Sequence, residues 1–421
     1  MFLQGPHGPF FGQLARSLTA SGARVIRVGF NSGDRVFWPR RTEYIPWRRS
    51  AGDWKVAVPE LLRHHGVTDL VLYGDTRPIH ADAVAAAKTA GLCVHVFEEG
   101  YLRPWWISYE RDGSNGNSAL MDLSPHDILA DQGTETQRQP APPCHWGDMR
   151  QHIFYGAVYH WLVMFANQTY AGFRPHRSLP VSRECRLFAK RFFLMPLHGL
   201  QRRLATWRIR RGGFAYHTVL LQLEHDSSFL AHSPYRRQFQ YLREVVDGFA
   251  HGAPRHHHLV FKAHPLEDGR APLRRDIDRL ARARGIRNRV HFVNGGKLGP
   301  LLDEARSAVT VNSTAGHQAL WRGLPLHLSG TAIYDKPGLV SRIPLARFFA
   351  EQPAPDRALY AAFRSFLLNS SQLPGSYYAA GGRRQLLRRL PDLMLSRTGP
   401  YARTAPKSAA HPQQFRVVNS A

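Results

Sequence analysis

The chain has only three cysteines in 421 residues, Cys93, Cys144 and Cys185. They are odd in number and widely scattered, with neither a disulfide framework nor metal-ligand spacing. That excludes a cysteine-stapled secreted domain and fits a reducing cytoplasm. Long apolar runs are missing too. Nothing approaches the ~18 uninterrupted apolar residues of a membrane span, and the best stretch, residues 153–165, is too short and contains His160. The opening Met1-Phe2-Leu3-Gln4-Gly5-Pro6 has no basic n-region, so export is not expected. No Gly-x-x-x-x-Gly-Lys-Ser/Thr loop and no Gly-x-Gly-x-x-Gly after the first strand is present, which counts against kinase and dehydrogenase chemistry. Acidic residues are scarce: 31 Asp and Glu face 56 Lys and Arg, for a net charge of +25.

The charge is uneven. Residues 1–140 carry 15 basic and 15 acidic side chains, and the remainder carries 41 basic and 16 acidic, so the whole excess lies there. Such asymmetry implies an anionic partner: nucleic acid, a membrane surface or a phosphorylated substrate. With 43% apolar residues the chain can bury two α/β cores.

Residues 1–140 alternate strands (2–4, 24–30, 70–73, 93–97) with helices (11–21, 54–65, 81–90), the rhythm of a parallel sheet covered on both faces. After Arg103 the sequence becomes loop-like, and residues 132–143 read as a polar, proline-rich linker. Residues 144–215 hold 12 basic and 2 acidic side chains, interleaved with Trp146, Phe154, Tyr155, Tyr159, Trp161, Phe165, Tyr170, Phe173, Phe188, Phe192, Phe193, Met195 and Trp207. This composition suits helices lying on an anionic bilayer, nucleic acid, or plain packing between domains. The α/β rhythm resumes at Thr218, and residues 216–350 read as a second doubly wound domain. Residues 351–395 read as helices, and residues 396–421 as a disordered tail. His256, His257 and His258 read as a solvated loop, with no second ligand cluster evident. No internal sequence repeat is visible.

Three motifs sit where chemistry is expected. Glu98-Glu99-Gly100 ends an apolar strand, and in an open α/β sheet ligands bind beyond the carboxyl ends of strands. Burial and mutual repulsion can raise one of two adjacent carboxylates into the range of a general base. Strand alternation sends the two side chains to opposite faces, so one of them is the working group, with Glu98 favoured. Asp75 and Arg77 occupy a comparable strand end. Lys262-Ala263-His264-Pro265 offers a histidine fixed by proline that can donate to a phosphate oxygen. Asn312-Ser313-Thr314-Ala315-Gly316 places hydroxyls and free N–H groups at a helix start, as either an anion cradle or an ordinary N-cap.

Together these motifs resemble the capsular polysaccharide β-Kdo transferases, over roughly residues 2–345. The resemblance rests on Leu3-Gln4-Gly5-Pro6, Tyr73-Gly74-Asp75-Thr76-Arg77-Pro78, Phe97-Glu98-Glu99-Gly100-Tyr101-Leu102-Arg103-Pro104, Asn115-Gly116-Asn117-Ser118, Lys262-Ala263-His264-Pro265, Val311-Asn312-Ser313-Thr314 and Ala332-Ile333-Tyr334-Asp335-Lys336-Pro337-Gly338. It implies an α/β, GT-B-like fold: two doubly wound, Rossmann-like domains facing a central cleft, residues 1–140 on the acceptor side and 216–350 binding the nucleotide sugar. Residues 141–215 would link them and could lie on a membrane surface.

The implied donor is CMP-β-Kdo, and the implied acceptor is an anionic (lyso)phosphatidylglycerol-type lipid at the cytoplasmic face of the bacterial inner membrane. Such an enzyme would start the poly-Kdo linker of a capsule, as a peripheral protein without metal or other cofactor and without nucleic acid, in the company of other capsule assembly proteins. The catalytic residues implied are Glu98 or Glu99 with His264. Lys262, His264, Pro265, Asn312, Ser313 and Thr314 would bind the donor, and Gly5, Asp75, Arg77, Arg103 and Asn117 are substrate-binding candidates. A non-catalytic component of the export assembly that binds lipid-linked glycan is the alternative.

Overall fold

The computed structural model describes residues 1–130, 149–170, 172 and 181–402. Residues 132–143, Cys144, Trp146, Phe173 and the tail from 403 lie outside the described residues, as do the side chains of Cys185, Phe188, Phe192 and Met195. The chain divides into two compact units, Met1–Arg177 with Ser365–Ala421, and Ser178–Arg364. The divide falls within residues 141–215, and the helices at the C-terminal end belong to the first unit.

In the first unit β1 (Ile26–Gly29) pairs in parallel with β2 (Glu43–Pro46), and β3 (Asp69–Tyr73) with β4 (Cys93–Glu99). Residues 1–4 run between the two pairs: the amide of Phe2 donates to Ile26 O at 2.7 Å and that of Leu3 to Val71 O at 2.9 Å. Counted in chain order, these five segments stand 3-2-1-4-5, the doubly wound order, which reverses beside residues 1–4. The pleat sorts β4 by face. Val94 and Val96 join Leu3, Leu70 and Leu72, whereas Phe97 joins Phe10, Phe11 and Leu14 of α1 (Phe10–Ala20). The first of these cores is covered by α2 (Ala51–His64), through Trp54 and Val58, and by α3 (Pro78–Thr89), through Ile79 and Ala83.

The region after Arg103, expected to be a loop, instead forms β5 (Trp106–Arg111), antiparallel to β4 and buried throughout. A late strand, Gln372–Pro374, lines its other edge. β5 hides its polar residues in internal bonds, which is why its pattern does not read as a strand. Glu110 accepts from the hydroxyls of Tyr101 and Ser118, and Arg111 donates to Leu393 O and Ser396 O at 3.1 and 2.7 Å. The helix α4 (Met149–Phe165) packs on this unit through Tyr155 and Tyr159, whose rings lie over Gly8 and Gly33.

The second unit contains α5 (Val181–Arg211) and a five-stranded sheet of β6 (Tyr216–Leu220), β7 (His258–Lys262), β8 (Val290–Val293), β9 (Ser307–Thr310) and β10 (Leu326–Leu328). All pairs are parallel in the order β10-β9-β6-β7-β8. Numbered within the unit this is 5-4-1-2-3, the order of the first unit, so the units share a winding that no sequence repeat discloses. The chain is α/β with two Rossmann-like units, the composition of a GT-B-like protein.

Helices α6 (Gln238–Gly252) and α7 (Leu273–Ala283) cover one face, where Leu242, Val246 and Ile277 meet Leu259 and Val309. On the other face Ile209, near the end of α5, packs with Tyr216, Val260 and Val293.

The histidine run also differs from expectation. His256 is exposed, but His257 is buried and bonds His217 at 3.0 Å, and His258 bonds His291 at 2.8 Å while stacking on Phe214. The run enters β7 and is packed by partners distant in sequence.

Candidate functional site

In the first unit the carboxyl ends of β3 and β4 carry the predicted acids. Strand alternation separates them as expected. Glu98 lies on the α2–α3 face and Glu99 on the α1 face, following Val96 and Phe97. Glu98 Oε1 accepts from the amide of Glu99 at 3.1 Å, and Oε2 faces Gly74. Burial pushes the Glu98 carboxyl up to about 7. The Glu99 amide, Arg77 and Arg103 work against that rise, and the neighbouring Glu99 adds to it. Glu99 Oε1 accepts from Tyr73 OH at 3.2 Å and from Tyr378 OH at 3.4 Å. Tyr377 OH donates to Glu98 O at 2.8 Å.

The other candidates of this unit gather around the same edge. Asp75 is buried and accepts from Ser114 N (2.9 Å), Ser114 Oγ (3.2 Å) and Asn117 Nδ2 (3.1 Å). Its carboxylate therefore holds the loop that carries Asn117, which is exposed. Arg77 begins α3 and lies 5.5 Å from the centroid of Tyr73. Arg103 is exposed, and its Nε donates to Gly100 O at 3.2 Å. Gly5 ends the first strand at the point where the order reverses. A Cβ there would stand 2.5 Å from Cδ2 of Phe11, so close packing demands glycine.

In the second unit the order reverses between β6 and β9, and Asn312, Ser313 and Thr314 follow β9 at that crevice mouth, while Lys262, His264 and Pro265 stand at the end of the neighbouring β7. Asn312 follows β9 and interlocks with Gln222 after β6: Gln222 Nε2 donates to Asn312 Oδ1 at 2.7 Å, and Asn312 N donates to Gln222 Oε1 at 3.1 Å. Asn312 Nδ2 also donates to Ser228 O and His232 O. Ser313 and Thr314 are half-buried in the turn before α8 (Gly316–Trp321); Ser313 Oγ accepts from Ala315 N at 3.2 Å, and Tyr334 OH donates to Ser313 O at 2.6 Å.

Lys262 ends β7, buried, with Nζ donating to Ala263 O at 3.0 Å. Burial and the nearby Arg202 push it down to about 8. His264 Nδ1 accepts from Leu266 N at 3.1 Å, which in the neutral ring places the proton on Nε2. Gly295, at φ +67, faces Pro265: a Cβ built on it would stand 3.4 Å from Pro265 Cα.

Sequence reasoning missed several residues of this set. Gln222 follows a strand without any motif. Arg202 read as part of a basic run, and Tyr378 approaches Glu99 from 279 residues away. Among the described residues, Asp69, Cys93 and His95 form one cluster of possible metal ligands within 4.8 Å. Both His95 nitrogens are bonded, to Tyr109 OH at 2.8 Å and Asp69 Oδ1 at 3.0 Å, and burial pushes the Cys93 thiol up to about 12. This cluster is a hydrogen-bonded network in the core.

Two exposed apolar stripes lie on the basic helices. On α5, Phe193, Leu197, Leu200, Leu204 and Trp207 recur at spacings of four and three and are 44% to 79% exposed. On α4, Phe154, Trp161 and Phe165 share one line. Among the described residues, no helix is long and apolar enough to cross a membrane.

The family model described as capsule polysaccharide biosynthesis protein matches residues 68–378. The capsule polysaccharide export protein KpsS of Escherichia coli is 31% identical over 380 residues, covering 90% of this chain and 96% of that protein. The capsule polysaccharide modification protein LipB of Neisseria meningitidis is 29% identical over 384 residues, covering 90% and 91%. Among solved structures, the KpsC β-Kdo 2,7 transferase of Thermosulfurimonas dismutans is similar at 14% identity and a TM-score of 0.41, covering 84% of this chain and 92% of that one.

Proposed function

The chain belongs to the capsule polysaccharide biosynthesis protein family, and from that premise we propose that it is a glycosyltransferase moving Kdo from CMP-β-Kdo to a (lyso)phosphatidylglycerol-type lipid, the first step of a poly-Kdo linker. Glu98 is the general base. It takes the proton of the acceptor hydroxyl, the oxygen bonds to the anomeric carbon, and the bond to the CMP phosphate breaks with its electron pair leaving on CMP. The observation that carries this reading is the setting of Glu98. It is a half-buried carboxyl at the carboxyl end of a strand, raised to about 7, where a base works best near neutral pH. Glu99 has its oxygen engaged by Tyr73 and Tyr378, which suits a positioning role.

The second unit holds the donor. Lys262 and Arg202 supply positive charge, His264 Nε2–H is a donor for a phosphate oxygen, and Ser313 and Thr314 offer hydroxyls beside the helix start. Arg77, Arg103 and Asn117 contact the acidic sugar or the acceptor. The α5 stripe, flanked by exposed Arg186, Lys190, Arg203, Arg208 and Arg211, suits the interface of an anionic bilayer, so the protein works peripherally on the inner membrane beside other capsule assembly proteins.

Incubation with CMP-Kdo generated in situ and a lysophosphatidylglycerol analogue tests the reading. Wild type should form a Kdo-lipid product, Glu98→Gln should lose it, and Glu99→Gln should retain part of it. Absence of product from a folded wild type that still binds the lipid would sink the enzyme and favour a non-catalytic glycolipid-binding component.

A further inference from the structure

Between α4 and the late helix Ala380–Leu387 the first unit has a groove of about 250 Å³, lined by Arg150, Gln151, Phe154, Tyr155, Ala380 and Arg383. Two arginines face it, and among the described residues no carboxylate lines it. Arg383 is 94% buried (6% exposed), and its hydrogen-bond partners are neutral: Nε donates to Gln13 Oε1 at 3.0 Å, and Nη1 to the carbonyls of Tyr377 and Tyr378. The guanidinium also lies 5.6 Å from the centroid of the Tyr155 ring, and among the described residues no carboxylate pairs with it; a buried cation with only neutral partners is costly unless an anion completes it. The opposite wall adds Arg150, which is exposed. Gln151 Oε1 is buried and accepts no hydrogen bond among the described residues, so an acceptor for a hydroxyl stands beside the two cations.

The groove's third feature is apolar. Phe154, at its rim, is 61% exposed and begins the stripe that continues through Trp161 (56%) to Phe165 (62%). Eleven residues of helix carry that stripe about 16 Å from the groove. A site with cations and a hydroxyl acceptor at one end and exposed rings along the other fits an amphiphile. Its volume of about 250 Å³ lies just below the ~300–1,000 Å³ usual for drug-sized ligands, which suits a headgroup. It also adjoins the strand end: the carbonyl of Tyr378 accepts from Arg383, and the hydroxyl of Tyr378 donates to Glu99 Oε1 at 3.4 Å.

We infer that the Arg150–Arg383 groove binds the phosphodiester and glycerol of an anionic phospholipid headgroup while the α4 stripe contacts its acyl chain. The choice of lipid rests on the proposed acceptor; the groove does not depend on catalysis. Calorimetric titration of the full chain with lysophosphatidylglycerol below its micelle concentration tests it, with lysophosphatidylcholine and inorganic phosphate as separate arms. Lysophosphatidylglycerol should bind tightest. Arg150→Gln should weaken it about tenfold, the scale of one charge-assisted hydrogen bond, and leave CMP binding unchanged. Phe154→Ser should weaken the lysolipid and leave phosphate untouched.

Since Arg383→Ala removes internal bonds and could unfold the unit, Arg383→Lys, checked by thermal unfolding, is the variant for that wall; it should also weaken the lysolipid. Equal affinity for lysophosphatidylcholine, equal affinity for inorganic phosphate, or unchanged binding in both arginine variants would each overturn the proposal. If transfer fails while the binding results hold, the enzyme reading falls and the groove stands. If transfer proceeds and Arg150→Gln leaves the acceptor KM unchanged, the groove falls alone.

Discussion

The Glu98 carboxylate lies against Gly74: a Cβ built on that glycine would stand 3.1 Å from Oε2. Gly74 also sits at φ +68, where an L side chain costs about 1–2 kcal/mol. Gly74→Ala should therefore do two things, strain the turn after β3 and displace the proposed base. Gly66 separates them, since it has φ +57 and nothing within 4 Å of a built Cβ. Gly66→Ala should lower the urea midpoint and leave kcat alone. Gly74→Ala should lower the midpoint similarly and also cut kcat/KM by about tenfold to a hundredfold, the usual cost of a misplaced catalytic group. Equal kcat values for the two variants would mean that Gly74 does not position Glu98.

The pH profile follows from the same carboxyl. A base held near 7 is protonated, and inactive, below that value, so kcat/KM should rise with pH and level off above about 7. Burial is the main cause of the rise, and Arg77 and Arg103 oppose it. Arg77→Gln should therefore move the inflection to higher pH, whereas Glu99→Gln removes a like charge and should move it lower. Glu98→Gln should lose about 10²–10⁴ in rate. An inflection that stays in place in Arg77→Gln and Glu99→Gln would assign it to another group.

Much of this arrangement was legible in sequence because it follows short periods. The apolar runs before Glu98, His264 and Asn312 announce strands, and strand ends announce the crevice. The period of two along a strand also assigns Glu98 and Glu99 to opposite faces, as found. β5 escaped because its polar residues are bonded inside the fold by Tyr101, Ser118 and carbonyls near residue 395, which no local pattern encodes. His257 and His258 read as solvated for the same reason, their partners His217 and His291 being 40 and 33 residues away. The shared winding of the two units escaped because it is a property of strand order, and strand order is set by tertiary pairing.

Lys262 gives the donor side its own pH signature. With burial and Arg202 holding it near 8, it loses its charge as pH rises through that value. CMP affinity should fall over the same range, and binding near pH 8 should take up protons, because a phosphate favours the charged amine. Lys262→Met should bind CMP more weakly and lose this pH dependence. Arg202→Gln should shift the fall to higher pH, since one of the two causes is gone. Calorimetry in buffers of different ionisation enthalpy reads the proton uptake directly, and its absence near pH 8 would remove Lys262 from the phosphate site.

Glu110 predicts a pH dependence of stability separate from catalysis. It is fully buried, and burial raises it from 4.5 to about 7 against the bonds from Ser118 and Tyr101. The folded state thus binds more protons than the unfolded state between those values. Its contribution is complete below about 4.5 and is lost as pH rises to about 7, a change on the order of 3 kcal/mol. Glu98 acts in the same direction. The urea midpoint of wild type should fall between pH 5 and pH 8, and Glu110→Gln, which cannot ionise yet still accepts from a hydroxyl, should flatten part of that fall. Glu98→Gln with Glu110→Gln should flatten more. Glu110→Ala should be less stable at every pH, because two buried hydroxyls lose their acceptor at about 1–3 kcal/mol each. A midpoint that falls as steeply in Glu110→Gln as in wild type would show that Glu110 is already ionised in the folded chain at pH 5.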